Sequence, residues 1–392
     1  MLADRHSHRA RTGQRSLRIA GTLGAGVVAT GLALALAVPA ASASDSHDDR
    51  QGRVYRQVDV VNIPTSGSPL FADIIFGDQR TQRIYLSDLA NASLDIIDGR
   101  TSRLVAQVGG FTGGPGGVLS DDLGQVWAGD GSGAIKVVSA SAPYKIVDSV
   151  PVGAPTADEI AYDPVDRIIA VTSPDATSAS GRATPWVTLI DARPARDGKH
   201  RVLGHVVIPG AGPDAIEQPQ WDRSTGTFVE AVRSTGDLPS GAVVRIDPKR
   251  IRVESILPVD AACNPGGLAV GLHGQILLGC NTGVPVLLDG ETGRVLAEYS
   301  GHNASGADEV WFNSADNRFY AAEAGAAGPP PLPQLTPPTV MVIDAVSGRF
   351  VTNIALGATA LGFHQVTAIG DPGRVFVPES DGVHVYSASR RD

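Results

Sequence analysis

The feature that most restricts this chain is a recurring unit of short strands. Units begin at Ile74, Val118, Ile160, Pro219, Leu268, Val310 and Val366, spaced 42 to 59 residues apart. The first unit reads DIIFG, DQRTQ, RIYLSD, LANA, SLDIIDG, RTS, RLVAQVGG. Alternating, β-branched runs mark four strands, and clusters of Asp, Gly, Asn and Pro mark the turns between them. A period of this length with several strands per repeat is the signature of a propeller. Seven starts predict an all-β fold, a seven-bladed β-propeller with four-stranded blades. The last unit supplies only HQVTAIG, RVFVPES and GVHVYSAS, so the N-terminal RVYRQVDVVNIP is expected to add its fourth strand. Closing the ring with the N-terminal strand removes the open sheet edges that a β protein must otherwise protect.

Ahead of the repeats, Arg5, Arg9, Arg11, Arg15 and Arg18 precede the apolar run IAGTLGAGVVATGLALALAVPA, and ASA ends at Ala43. This order fits a cleaved signal peptide over residues 1–43, with an uncleaved membrane anchor as the alternative. Residues 44–52 then read as a polar, disordered lead and 53–392 as a single propeller domain. The expected product is secreted or extracytoplasmic, monomeric, and free of a membrane span after cleavage. The formal charge is −9 and becomes more acidic once the five arginines leave. Such a surface repels phosphate backbones, so nucleic acid is excluded as a partner.

The strands RIYLSD, SLDIIDGRTSRLVAQVGG and TVMVIDAVSGRFVTNIALG resemble the repeat of the YVTN-type, YncE-like bacterial β-propellers. The resemblance covers nearly all of residues 53–392 and implies the same seven-bladed fold. It implies little about chemistry, because propellers carry hydrolases, lyases, oxidoreductases and binding modules alike. Some relatives bind single-stranded DNA, a role the acidic charge opposes here.

In a propeller the first strand of each unit lines the central channel. TADEIAYDP and GADEVWFNSADN, 150 positions apart, therefore bring Asp158/Glu159 and Asp308/Glu309 to equivalent places at the channel mouth on two blades. The same register adds Asp73, Glu217/Gln218, Asn264 and His364/Gln365, and the ends of the second strands add Asp88, Asp130, Asn281, Glu323 and Glu379. Like charges crowded at a mouth raise one another's pKa or require a cation. Oxygen donors point to one divalent cation, Ca²⁺ ahead of Mg²⁺, with Asp158, Asp308 and Asn264 as ligands. Solvated or backbone-bonded acids are the alternative. Three long insertions, at 173–185, 233–241 and 323–339, would decorate the same rim.

Two function classes follow. One is a binding module for a small ligand, cation or protein, with Asp73, Glu159, Arg233 and Gln365 as contacts. The other is a divalent-cation-dependent hydrolase or lyase using His364, Glu309 and Glu217 to move protons. Glu217, Asn264 and Asp308 are similar in kind to a gluconolactonase-type cation site, and His364 with Glu309 to a streptogramin-lyase-type pair. Arg233 either clamps an anion or pairs with Glu217 or Glu230. The sequence lacks C-x-x-C-H and G-x-S-x-G, and GGPGG lacks the lysine of a phosphate loop, so neither haem nor nucleotide is expected. Cys263 and Cys280 flank one hairpin; centred between Leu272 and His273, it sets Cys263 near Thr282 and Cys280 near Pro265. A disulfide is the expected state for two cysteines in an exported chain, with a redox pair as the alternative.

Overall fold

Regular alternation in the repeats becomes seven antiparallel four-stranded sheets in a ring. A computed structural model describes residues 53–390 apart from 178–180, 182–183, 260, 303–305, 325–336, 358 and 361–363. The signal segment, the lead, most of the proline-rich insertion and part of the 173–185 insertion lie outside the described residues.

Blade 1 spans residues 72–108, and blades 2 to 6 span 118–151, 160–207, 216–258, 265–298 and 307–355. Blade 7 is built from Thr367–Ile369, Arg374–Glu379 and Gly382–Arg390, and Arg53–Val61 pairs antiparallel with the last of these. The N-terminal strand thus closes the ring as expected.

Packing follows the ring. Among the described residues, each of seven apolar clusters draws its side chains from two consecutive blades. Second and third strands are buried on both faces, as in Arg83–Asp88, where Ile84 and Leu86 on one face and Tyr85 on the other are buried. Fourth strands face water on alternate residues, as in Arg103–Val108. No blade can bury both faces alone, so the closed circle is the stable unit.

One disulfide joins Cys263 and Cys280, with Cα atoms 4.5 Å apart. Its hairpin has the anticipated register: Pro265 pairs with Cys280, and Thr282 N–H donates to Cys263 O. Both cysteines are fully buried in the cluster between blades 4 and 5. Burial denies them the solvent access that a redox pair needs, so the bridge is structural. Removing it with Cys263→Ala and Cys280→Ala is expected to cost about 3 kcal/mol by loop-closure entropy. Urea melts of the oxidised wild type and the double variant check this, and coincident curves would contradict it.

Candidate functional site

Each inner strand enters the channel through an irregularity. In blades 1, 4, 5 and 6 the pairing register slips between Ala72 and Ile75, Ile216 and Pro219, Pro265 and Leu268, and Ala307 and Val310. Two residues there oppose one on the partner strand, which is a β-bulge. Blade 3 does the same: Asp158 N–H donates to Thr172 O, and Thr172 N–H to Glu159 O. The bulged pairs are Asp73/Ile74, Asp158/Glu159, Glu217/Gln218, Gly266/Gly267 and Asp308/Glu309. Gly116/Gly117 and His364/Gln365 hold the matching positions in blades 2 and 7.

The glycine pairs explain the duplicated Ala-Asp-Glu. A Cβ on Gly117 would stand 2.6 Å from Asp158 O, and one on Gly267 would stand 1.9 Å from Asp308 O. Each acidic bulge therefore rests directly on the backbone of a Gly-Gly bulge one blade earlier. The pairs Gly116/Gly117 and Gly266/Gly267 are also 150 positions apart, so a two-blade cassette, not a single strand, is what the sequence repeats.

Glu159 and Glu309, from blades 3 and 6, line one cavity in the channel. Both are nine-tenths buried, at 7% and 5% exposure. Burial first, and then the facing carboxylate for Glu159 and Asp308 for Glu309, holds both well above the ordinary range. The carboxylates that share the cavity are thus the glutamates; the aspartates precede them on the same bulges. Burial raises Asp158 to about 7, with Asp73 and Asp175 adding repulsion. Glu217 is pushed up to about 8 by burial, against the pull of Arg233. Burial also raises Asp308, partly offset by His364 and Arg233.

An arginine and a histidine serve this cluster. Arg233 Nε lies 3.0 Å from Glu217 Oε1, the pairing weighed against an anion clamp. His364 Nε2 lies 3.5 Å from Asp73 Oδ1. Gln365 Nε2 donates to Ala72 O at 2.8 Å, and Gln218 Oε1 accepts from Leu268 N–H at 2.6 Å, so these amides tie neighbouring blades together. Asn264 stands apart from the bulged pairs. Its Nδ2 donates to Arg233 O at 3.1 Å, and the amide beside Asp308 is Asn281. Asn281 Nδ2 and Asp308 Oδ1 both lack a hydrogen-bond partner and crowd the point where a Gly266 Cβ would stand, at 2.7 and 2.3 Å.

Acids elsewhere behave differently. Asp98, Asp222, Asp289 and Asp344 accept backbone N–H groups two or three residues ahead and close turns. Glu230, fully buried at the centre of Thr227–Val232, joins the channel group instead: neither carboxylate oxygen has a hydrogen-bond donor, and burial followed by Glu217 raises it strongly. Its signal was a lone acid in the otherwise apolar TFVEAV. On blade 7, Glu379, Asp381 and His384 bring ligand atoms within 4.8 Å of one another. That group is tied up internally: His384 Nε2 is 2.8 Å from Asp381 Oδ1, and Glu379 accepts from Thr359 Oγ1 at 2.6 Å and Tyr386 Oη at 3.0 Å.

Among the described residues, no helix is long and apolar enough to cross a membrane. No protein-family model matches the chain, and a search of curated proteins gives no match. What stands is a seven-bladed β-propeller with a carboxylate-rich channel.

Proposed function

We propose that this chain is an exported β-propeller of the YVTN type that binds a cation or a cationic small ligand at its acid-lined channel mouth. The observation that carries the reading is a charge imbalance. Asp73, Asp158, Glu159, Glu217, Glu230, Asp308 and Glu309 converge on the channel, and among the described residues Arg233 and His364 answer them. A buried charge without a partner is costly, so the arrangement favours a positive guest.

The donor set suits a hard cation. The groups at the mouth are oxygens, and Asp308 Oδ1 has no hydrogen bond to give up. Asp73, Asp158 and Asp308 are the residues that would hold Ca²⁺ or, less readily, Mg²⁺, with Asn281 in the place expected for Asn264. When bound, the ion would supply positive charge and polarise an oxygen ligand. At a hundredfold excess over Kd it should stabilise the fold by about 2.7 kcal/mol. Thermal melts with CaCl₂, MgCl₂ or EDTA are expected to show this in wild type and not in the Asp158→Asn, Asp308→Asn double variant. A wild type indifferent to both ions, with a double variant less stable than it, would make these acids structural caps.

One observation favours the second reading, a cation-dependent hydrolase or lyase. His364 faces Asp73 at 3.5 Å, and Glu309 N–H donates to His364 O at 2.9 Å, which sets a proton-moving group beside the candidate cation ligands. Turnover of a lactone panel that disappears in His364→Asn would favour catalysis over binding.

A further inference from the structure

Beneath the acid ring the inner strands enclose a cavity of about 270 Å³. Its rim end is made by Glu159, Glu309, Gln218 and Gln365, the second members of the bulged pairs. Its walls are Ile75, Val118, Ile160 and Val366, with Phe76, Tyr162, Trp221 and Trp311 two or three residues beyond the bulged pairs of their strands. Phe76 and Trp311 meet edge to face with ring centres 5.3 Å apart.

The polar end offers acceptors. Gln218 Oε1 accepts from Leu268 N–H, and the Gln365 Nε2 donor is spent on Ala72 O. Left over are acceptors: Gln365 Oε1 and Glu309 Oε2 have no hydrogen-bond donor, in residues only 3% and 5% exposed. Hydrocarbon lies immediately below them. A Ca²⁺ ion, which takes about six to eight oxygen ligands, suits a wall that is mostly apolar and aromatic poorly. An ammonium group has up to three N–H donors on a compact charge, and its organic part can use apolar and aromatic walls. The volume is a little under the ~300–1,000 Å³ of pockets for drug-sized ligands, which limits the guest to about one ring and a short chain.

We propose that this cavity is a site for a compact organic ammonium ion, its charged head against Glu309 and Glu159 and its hydrocarbon part between the inner strands and the Phe76 and Trp311 rings. The assignment rests on reading the channel as the ligand site and specifies the chemical class of guest on its inner side.

Calorimetric titration with 2-phenylethylammonium and with neutral 2-phenylethanol tests it on the unaltered full chain, with tryptophan fluorescence as a second readout. The amine is expected to bind at least tenfold more tightly than the alcohol. Glu309→Gln, which keeps the shape, is expected to lose at least tenfold for the amine and nothing for the alcohol. Equal binding of amine and alcohol, or amine binding untouched by Glu309→Gln in a variant with wild-type circular dichroism, would overturn the proposal. Stabilisation by Ca²⁺ without amine binding would defeat the ammonium site and leave the rim reading standing; silence towards both would remove the channel reading as well.

Discussion

Alanine at Gly267 is expected to destabilise the propeller by about 3 kcal/mol or more, the upper end of the range for forcing extra volume into a packed interior. Its Cβ would stand 1.9 Å from Asp308 O and 2.8 Å from Val310 N. Both are backbone atoms of the next blade, so no side-chain rotation relieves the clash. The strand carrying Asp308 and Glu309 would have to retreat, and Glu309 would move with it. Gly117→Ala, the counterpart in the other cassette, meets Asp158 O and Glu159 Cα at 2.6 Å and should be damaging too. Gly109 is the control: nothing lies within 4 Å of its added Cβ, and alanine there should change stability by no more than about 0.5 kcal/mol. Urea melts of the three variants decide the matter. Should Gly267→Ala melt with Gly109→Ala, close approach of the bulges is not what these glycines provide.

Much of this architecture was open to reading because β periodicity is local. Seven strand starts, the ring closure by Arg53–Val61 and the Cys263 to Cys280 pairing all depend on alternation and turn chemistry within one or two hairpins. What was less legible depends on bulges. A bulge inserts a residue, so the blade 1 core position is Ile75, paired with Leu86, one residue past the Ile74 taken as its start. It also breaks strict strand alternation, which is why Asp and Glu next to each other both reach the channel group. The sequence register puts Asn264 at the rim, whereas in blade 5 Gly266 and Gly267 hold the bulged position, and a glycine offers a reader no side chain. Physically the glycine is the message: the space it leaves is filled by Asp308 and Asn281. Asp381 and His384 escaped notice because their grouping with Glu379 forms only where the last hairpin turns.

The buried acids should also reverse the usual dependence of stability on pH. Most carboxylates that fold into hydrogen bonds are held low. Asp148 and Asp222 are of this kind, their burial outweighed by hydrogen bonds from Lys199 and Ser224, which hold them below the ordinary carboxylate range. The channel acids are displaced the other way: Asp158 to about 7 and Glu217 to about 8, with Glu159, Glu309 and Glu230 also raised, in each case by burial first. Asp95 in blade 1, raised to about 8 by burial and by Asp88, adds to them. Between about pH 4 and 8 the folded chain therefore holds protons that the unfolded chain has released. By linkage the contribution of these raised acids is greatest below the unfolded carboxylate range and falls as pH rises from about 4 through 8, the window between their unfolded and folded values. In EDTA the loss from pH 5 to pH 8 is expected to be on the order of a few kcal/mol, limited by the sharing of protons among coupled groups. Glu309→Gln removes one of those groups without changing its shape, so it should flatten the slope and raise the pH 8 urea midpoint above wild type. Saturating Ca²⁺ should flatten it from the other direction, by neutralising the rim. A chelated wild type whose stability stayed level or rose from pH 5 to pH 8 would mean that these carboxylates are charged and solvated in the folded protein, and the case for a positive guest in the channel would go with it.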